Sequence, residues 1–154
     1  STPLGAMRLP LSELGGFPVR LFLSALVFDT YTHLRYDIAP ALGRAVGEVD
    51  ANRIAVSLEW MMAVLSNQLR AASPVWLDRP LSINLTGPGG GAWSVEPSGA
   101  VTPGVAASAV AVITGQAAQF PEWGTRRAPW REREVDITGD AEYGAAFLDE
   151  MNIV

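Results

Sequence analysis

His33 is the single histidine among the 154 residues, and it stands four positions after Asp29 and four before Asp37. On a helix that spacing stacks Asp29 and His33 on adjacent turns, near enough to share one divalent ion such as zinc. Asp37 lies about 12 Å along the axis from Asp29, so those two carboxylates cannot chelate the same ion. Asp37 can instead accept a hydrogen bond from the free ring nitrogen of His33, which is how a metal-bound imidazole is usually oriented. The same pattern fits a histidine whose ring nitrogens are simply satisfied on a mostly apolar helix.

The element carrying these residues must be a helix. Val19 to Ile38 is apolar nearly all round, so it expects burial against other helices. Pro40 disfavours helical geometry at Ala39 and so kinks or ends the helix, and Gly43 closes the segment. Ser1 to Gly16 ahead of it, punctuated by Pro and Gly, reads as an extended arm. Asp50 is a good N-cap for a second helix reaching about Ala72, in which Ile54, Leu58, Met61, Leu65 and Leu69 form a core stripe. After Pro74 the period changes to two. Leu81, Ile83 and Leu85 alternate with Ser82, Asn84 and Thr86, as in a half-buried strand. Gly87-Pro88-Gly89-Gly90-Gly91 lacks the lysine and hydroxyl of a phosphate loop, so it reads as a hairpin turn into a strand around Trp93 and Val95. Val105 to Phe120, rich in Ala and Val, reads as a buried helix. Val135 and Ile137 mark a third strand, and Gly139-Asp140 caps a last helix with Tyr143, Phe147, Leu148 and Met151 inward. The sum is an α+β fold, two helices followed by a small layer of strands and helices.

Composition narrows the function. Nearly half the residues are hydrophobic (49%) and 18% are charged, which suits one packed domain or two small halves rather than disorder. No apolar run reaches the roughly 18 residues that cross a bilayer, and no signal peptide is visible, so a cytoplasmic protein is expected. Without cysteine there is no disulfide and no thiolate nucleophile, so any thiol chemistry must come from a cofactor. All 11 basic residues are arginine and the net charge is −5, which argues against nucleic-acid binding.

Phe28-Asp29-x-x-x-His33-x-x-x-Asp37-Ile38 followed by Ala41-Leu42-Gly43 resembles the last helix of the metal-binding DinB-like bundle in the mycothiol-dependent maleylpyruvate isomerase family. The lead Thr2-Pro3-Leu4-Gly5-Ala6-Met7 is similar to the segment before that helix. Trp123-Gly124-Thr125-Arg126-Arg127-Ala128-Pro129-Trp130 and Gly139-Asp140-x-x-x-x-Ala145-x-Phe147-Leu148 resemble the family's C-terminal domain, which is sterol-carrier-like. The resemblance divides the chain into an arm and last bundle helix, residues 1–45, and a sterol-carrier-like α+β domain, residues 46–154.

What the resemblance implies is an actinobacterial isomerase or thiol transferase acting on a small carboxylated or electrophilic metabolite. Its cofactors would be a divalent metal, zinc first, and mycothiol, whose sulfur the metal holds as thiolate. Asp29 takes the carboxylate position, where the isomerase proper has glutamate, and His33 takes the histidine position, with Asp37 behind it. The third ligand, a histidine on an earlier helix, has no counterpart in this chain. Arg126 and Arg127 become candidates for gripping substrate carboxylates, and Arg35, Tyr36 and Arg131 for cofactor contacts at the site mouth.

Two other readings compete. A non-catalytic module binding a lipid or small molecule is one, with Trp93, Trp123, Trp130 and Phe120 lining an apolar cavity. A partner-dependent subunit is the other. Leu21, Phe22, Leu23, Leu26, Val27 and Phe28 leave little polar face, so the first helix needs a homo-oligomer or a missing helical bundle to cover it.

Overall fold

The computed structural model describes residues 4–11 and 14–153. Thr2 and Pro3 of the N-terminal lead lie outside them. The arm is not simply extended. Arg8–Pro10 (β1) and Gly16–Pro18 (β2) pair antiparallel as a small hairpin, with Phe17 buried beneath it.

Helix α1, Leu21–Thr32, continues without a break through a π-helical stretch, His33–Ile38, into a last turn, Ala39–Ala41. Of the kink or end expected at Pro40, the helix does not end there but passes the proline through a distorted turn. Pro40 has no N–H for the carbonyl four residues back, and its ring would crowd that carbonyl in a regular α-helix. The chain widens over the preceding turn, where Ala39 N–H bonds to the Leu34 carbonyl five residues back. Gly43, at φ +60°, then ends the segment.

Helix α2, Ala51–Ala72, begins where expected, with the Asp50 side chain accepting from Arg53 N–H at 2.9 Å. It is buried on two faces. Ile54, Leu58, Met61 and Leu65 belong to the expected stripe, while Trp60 and Val64, four residues apart, form a second one. α1 packs against α2.

A five-stranded sheet follows in the order β5-β4-β3-β6-β7, from Leu81–Thr86 (β3), Gly91–Val95 (β4), Val101–Pro103 (β5), Ala111–Gln116 (β6) and Asp136–Gly139 (β7). β3 pairs parallel with β6, and the other neighbours are antiparallel. The segment expected as a helix over 105–120 is instead irregular over 105–110 and then β6, with helical turns only at Ala117–Gln119 and in α3, Phe120–Trp123. Ala111, Ile113 and Gly115 are buried while Val112 and Thr114 are half-buried, a period of two with branched side chains. Its alanine content suggested a helix, and the alternation decided otherwise.

Two glycines let the sheet close on α2. Gly89, at φ +77°, lies so close to the start of α2 that a Cβ would fall 2.2 Å from the Ala51 carbonyl oxygen. Gly99, at φ +76°, lies on its end, where a Cβ would fall 2.6 Å from Arg70 N. Ser66 Oγ donates to Gly99 O and accepts from Val101 N–H at 3.1 Å, tying the helix to the β4–β5 turn. The last helix, α4, Ala141–Glu150, is capped by Asp140 and buries Tyr143, Phe147 and Leu148, with Met151 just beyond it.

One core cluster runs from Phe17 and Leu21 through α2 and the sheet to Phe147 and Ile153. Each large side chain closed into it contributes about 1.5–3 kcal/mol of transfer free energy. α1 meets that core on one side only. Leu23, Leu26, Leu34, Ile38 and Leu42 remain exposed along it. No helix among the described residues is long and apolar enough to cross a membrane.

Candidate functional site

Between α1, the arm and α2 lies a cavity of about 580 Å³. The α1 wall is built at helical spacing from Phe22, Ala25, Phe28, Asp29, Thr32 and His33, because residues three and four apart share a face. Trp60 and Val64 of α2 form the opposite wall, and Leu11, Leu14 and Ile153 close the sides. Trp60 is fixed by Phe17, whose ring centroid is 4.6 Å away. Most of this lining is apolar. The polar members, Asp29, Thr32, His33, Thr125 and Arg127, come from the C-terminal half of α1 and from the turn after α3.

Asp29, His33 and Asp37 form a chain of contacts along α1. His33 Nε2 is 3.4 Å from Asp29 Oδ1, and His33 Nδ1 is 2.5 Å from Asp37 Oδ2. Arg127, 90 positions further on, grips Asp37 with both arms, Nε to Oδ1 and Nη2 to Oδ2 at 2.9 Å each. Its third nitrogen, Nη1, donates to Thr125 Oγ1 at 2.9 Å, and that hydroxyl donates to Pro121 O at 2.7 Å. The guanidinium beside it, helped by His33, holds the Asp37 carboxyl down at about 2. Each of the three guanidinium nitrogens of Arg127 thus makes a hydrogen bond within the protein.

The other residues singled out by sequence sit elsewhere. Arg126, at φ +56°, turns to the C-terminal strap, donating from Nε to Met151 O at 2.9 Å and from Nη2 to Asp149 O. Arg131 lies over the Trp130 ring and pairs bidentately with Asp149, which these contacts hold at about 2. Arg35 donates to Gly47 O at 2.9 Å beside a separate hollow of about 330 Å³. Tyr36 donates its hydroxyl to Ala118 O at 2.8 Å, and burial pushes that phenol well above its ordinary value. Tyr36 and Asp37 together pin the π-helical stretch to the α3 region.

Of the aromatics expected around a cavity, none lines this one. Phe120 and Trp123 meet edge to face at 4.6 Å in the closed core. Trp130 donates to Asp149 at 2.9 Å, and Trp93 stands on β4. The aromatics that do line it, Phe22, Phe28 and Trp60, carried a signal in the sequence, the second apolar face of each helix at three- and four-residue spacing.

Asp29 and His33 supply two donors that could converge on one ion, whereas a catalytic zinc centre takes three protein ligands and an open position. Among the described residues no group of three histidine or carboxylate donors comes together to hold a metal. Asp37 lies on the other ring nitrogen and cannot serve as the third.

No family model matches the chain, and no curated protein matches it. Among solved structures, sterol carrier protein 2 like 2 from Aedes aegypti is similar at 15% identity and a TM-score of 0.46, over 85% of this chain and 99% of that one.

Proposed function

We propose that this chain is a non-catalytic binding module of sterol-carrier-like layout that takes an apolar small molecule between α1 and α2. The observation that carries the reading is the cavity itself. Its volume of about 580 Å³ lies within the range of small-molecule sites, and its apolar walls with a few polar groups at one side are what such sites offer. Apolar area removed from water drives occupancy, at about 25 cal/mol per Å².

Trp60 reports on occupancy because its ring forms part of the wall. Titration with acyl and aromatic ligands is expected to give a saturable shift in tryptophan emission, and Trp60→Phe should remove most of it. An emission spectrum unmoved by every ligand tried would sink this reading.

A second reading rests on Asp29, His33 and Arg127 sharing one mouth. Here a metal-activated thiol, mycothiol in the family resembled, would act on a substrate held in the same cavity. The donor set is one ligand short, so this chemistry requires a third ligand from outside the described residues. Elemental analysis of wild type and His33→Ala separates the readings. The binding module predicts no stoichiometric metal in either, and about one divalent ion per chain, lost in the variant, would favour the second and call for mycothiol assays.

A further inference from the structure

We propose that Thr32 is the specificity-determining polar anchor of the cavity, selecting a neutral, mostly apolar molecule that carries one hydroxyl or carbonyl oxygen. This rests on the binding-module reading and names the class of ligand.

Thr32 lines the cavity and is only 1% exposed, yet its Oγ1 has no hydrogen-bond partner. A buried hydroxyl without a partner is a liability that folded proteins rarely keep. The cavity gives it a use. Threonine in a helix divides between two χ1 rotamers, and passing from one to the other carries the hydroxyl about 120° around the Cα–Cβ bond. A ligand oxygen within the cavity can therefore draw the hydroxyl toward itself, as donor or acceptor.

The remaining polar groups explain why the oxygen should be uncharged. Arg127 already pairs bidentately with Asp37, which offsets its charge, and donates from Nη1 to Thr125. Thr125 Oγ1 donates to Pro121 O and accepts from Arg127. At the mouth stands Asp29, its side chain 68% exposed, with His33 Nε2 3.4 Å from its Oδ1. A ligand carboxylate would meet the Asp29 carboxylate there, and an arginine whose charge Asp37 already offsets. A cation would have to shed its hydration to reach the buried Thr32, with only the largely exposed Asp29 to offset that cost. A hydroxyl or ketone is left as the complement of both features.

The experiment measures binding of n-octane, 1-octanol, 2-octanone and octanoate to wild type, Thr32→Val and Thr32→Ser. Valine keeps the shape and removes the hydroxyl, and serine keeps the hydroxyl. Thr32→Val is expected to weaken 1-octanol and 2-octanone about five- to tenfold, the size of one net hydrogen bond, and to leave octane unchanged. Thr32→Ser should retain most of the alcohol affinity, and octanoate should bind wild type more weakly than 1-octanol. Because valine removes an unsatisfied group, its melting temperature should match or exceed wild type, so lost binding would not reflect lost fold. Equal alcohol and ketone affinities in wild type and Thr32→Val would overturn the anchor while leaving the binding module standing. So would octanoate as the tightest ligand. Binding of no probe at all would overturn both.

Discussion

Ala25→Phe is expected to weaken binding of an apolar ligand at least tenfold while the protein keeps its fold. Ala25 is half-buried on α1 and forms part of the cavity wall. Overpacking a filled core forces strain that commonly costs about 1–3 kcal/mol, but here the added ring has empty space to enter. It occupies volume the ligand would use, and it removes from water the same apolar walls whose burial would have driven binding. A tenfold loss corresponds to about 1.4 kcal/mol, a small part of what a buried aromatic or acyl group contributes. Calorimetric titration alongside thermal melts checks both halves. A variant that melts like wild type and binds equally well would place the ligand somewhere other than this cavity.

Arg127→Gln is expected to move the Asp37 carboxyl from about 2 back toward its ordinary 3.8, observable by NMR titration of the carboxyl carbon. The largest cause of the depression is the hydrogen-bonded Arg127 guanidinium, with the His33 contact adding less. The sign of the stability effect follows. Asp37 has a lower folded than unfolded value, so its ionised form favours the native state. That contribution is complete above the unfolded value near 3.8 and disappears as pH falls from there through about 2. Arg127→Gln should therefore flatten the acid limb of the stability curve while hardly changing its slope at neutral pH. The pair is partly exposed, which keeps its strength modest and sensitive to salt. An unmoved Asp37 midpoint in Arg127→Gln would mean that the bidentate clamp does not persist in solution. Since that clamp and the Tyr36 hydroxyl pin α1 beside the cavity, the same variant should exchange bound ligand faster.

Local pattern alone reads a good part of this architecture. Asp50 and the stripe from Ile54 to Leu65 define α2 because an N-cap and a 3.6-residue period are properties of the segment itself. The β3–β4 hairpin and the capped α4 are legible for the same reason. Over 105–120 the local signals conflict. Alanine favours a helix, alternating branched residues favour a strand, and pairing with β3 resolved the conflict. Pro40 marks the place where α1 must change, and the change is a widened turn in which Ala39 N–H reaches the Leu34 carbonyl.

The site divides along the same line. The sequence by itself determined that Asp29, His33 and Asp37 share one helical face, that no cysteine of this chain can take part, and that the first helix carries more apolar surface than one neighbour can cover. Only the tertiary structure decided that Arg127 closes on Asp37 from 90 positions away while Arg126 turns to the C-terminal strap. It also decided that the cavity is walled by Phe22, Phe28 and Trp60 instead of Trp93, Trp123, Trp130 and Phe120. Periodicity fixes which side chains share a face; which faces meet, and where they leave a gap, is set by the closure of the whole chain.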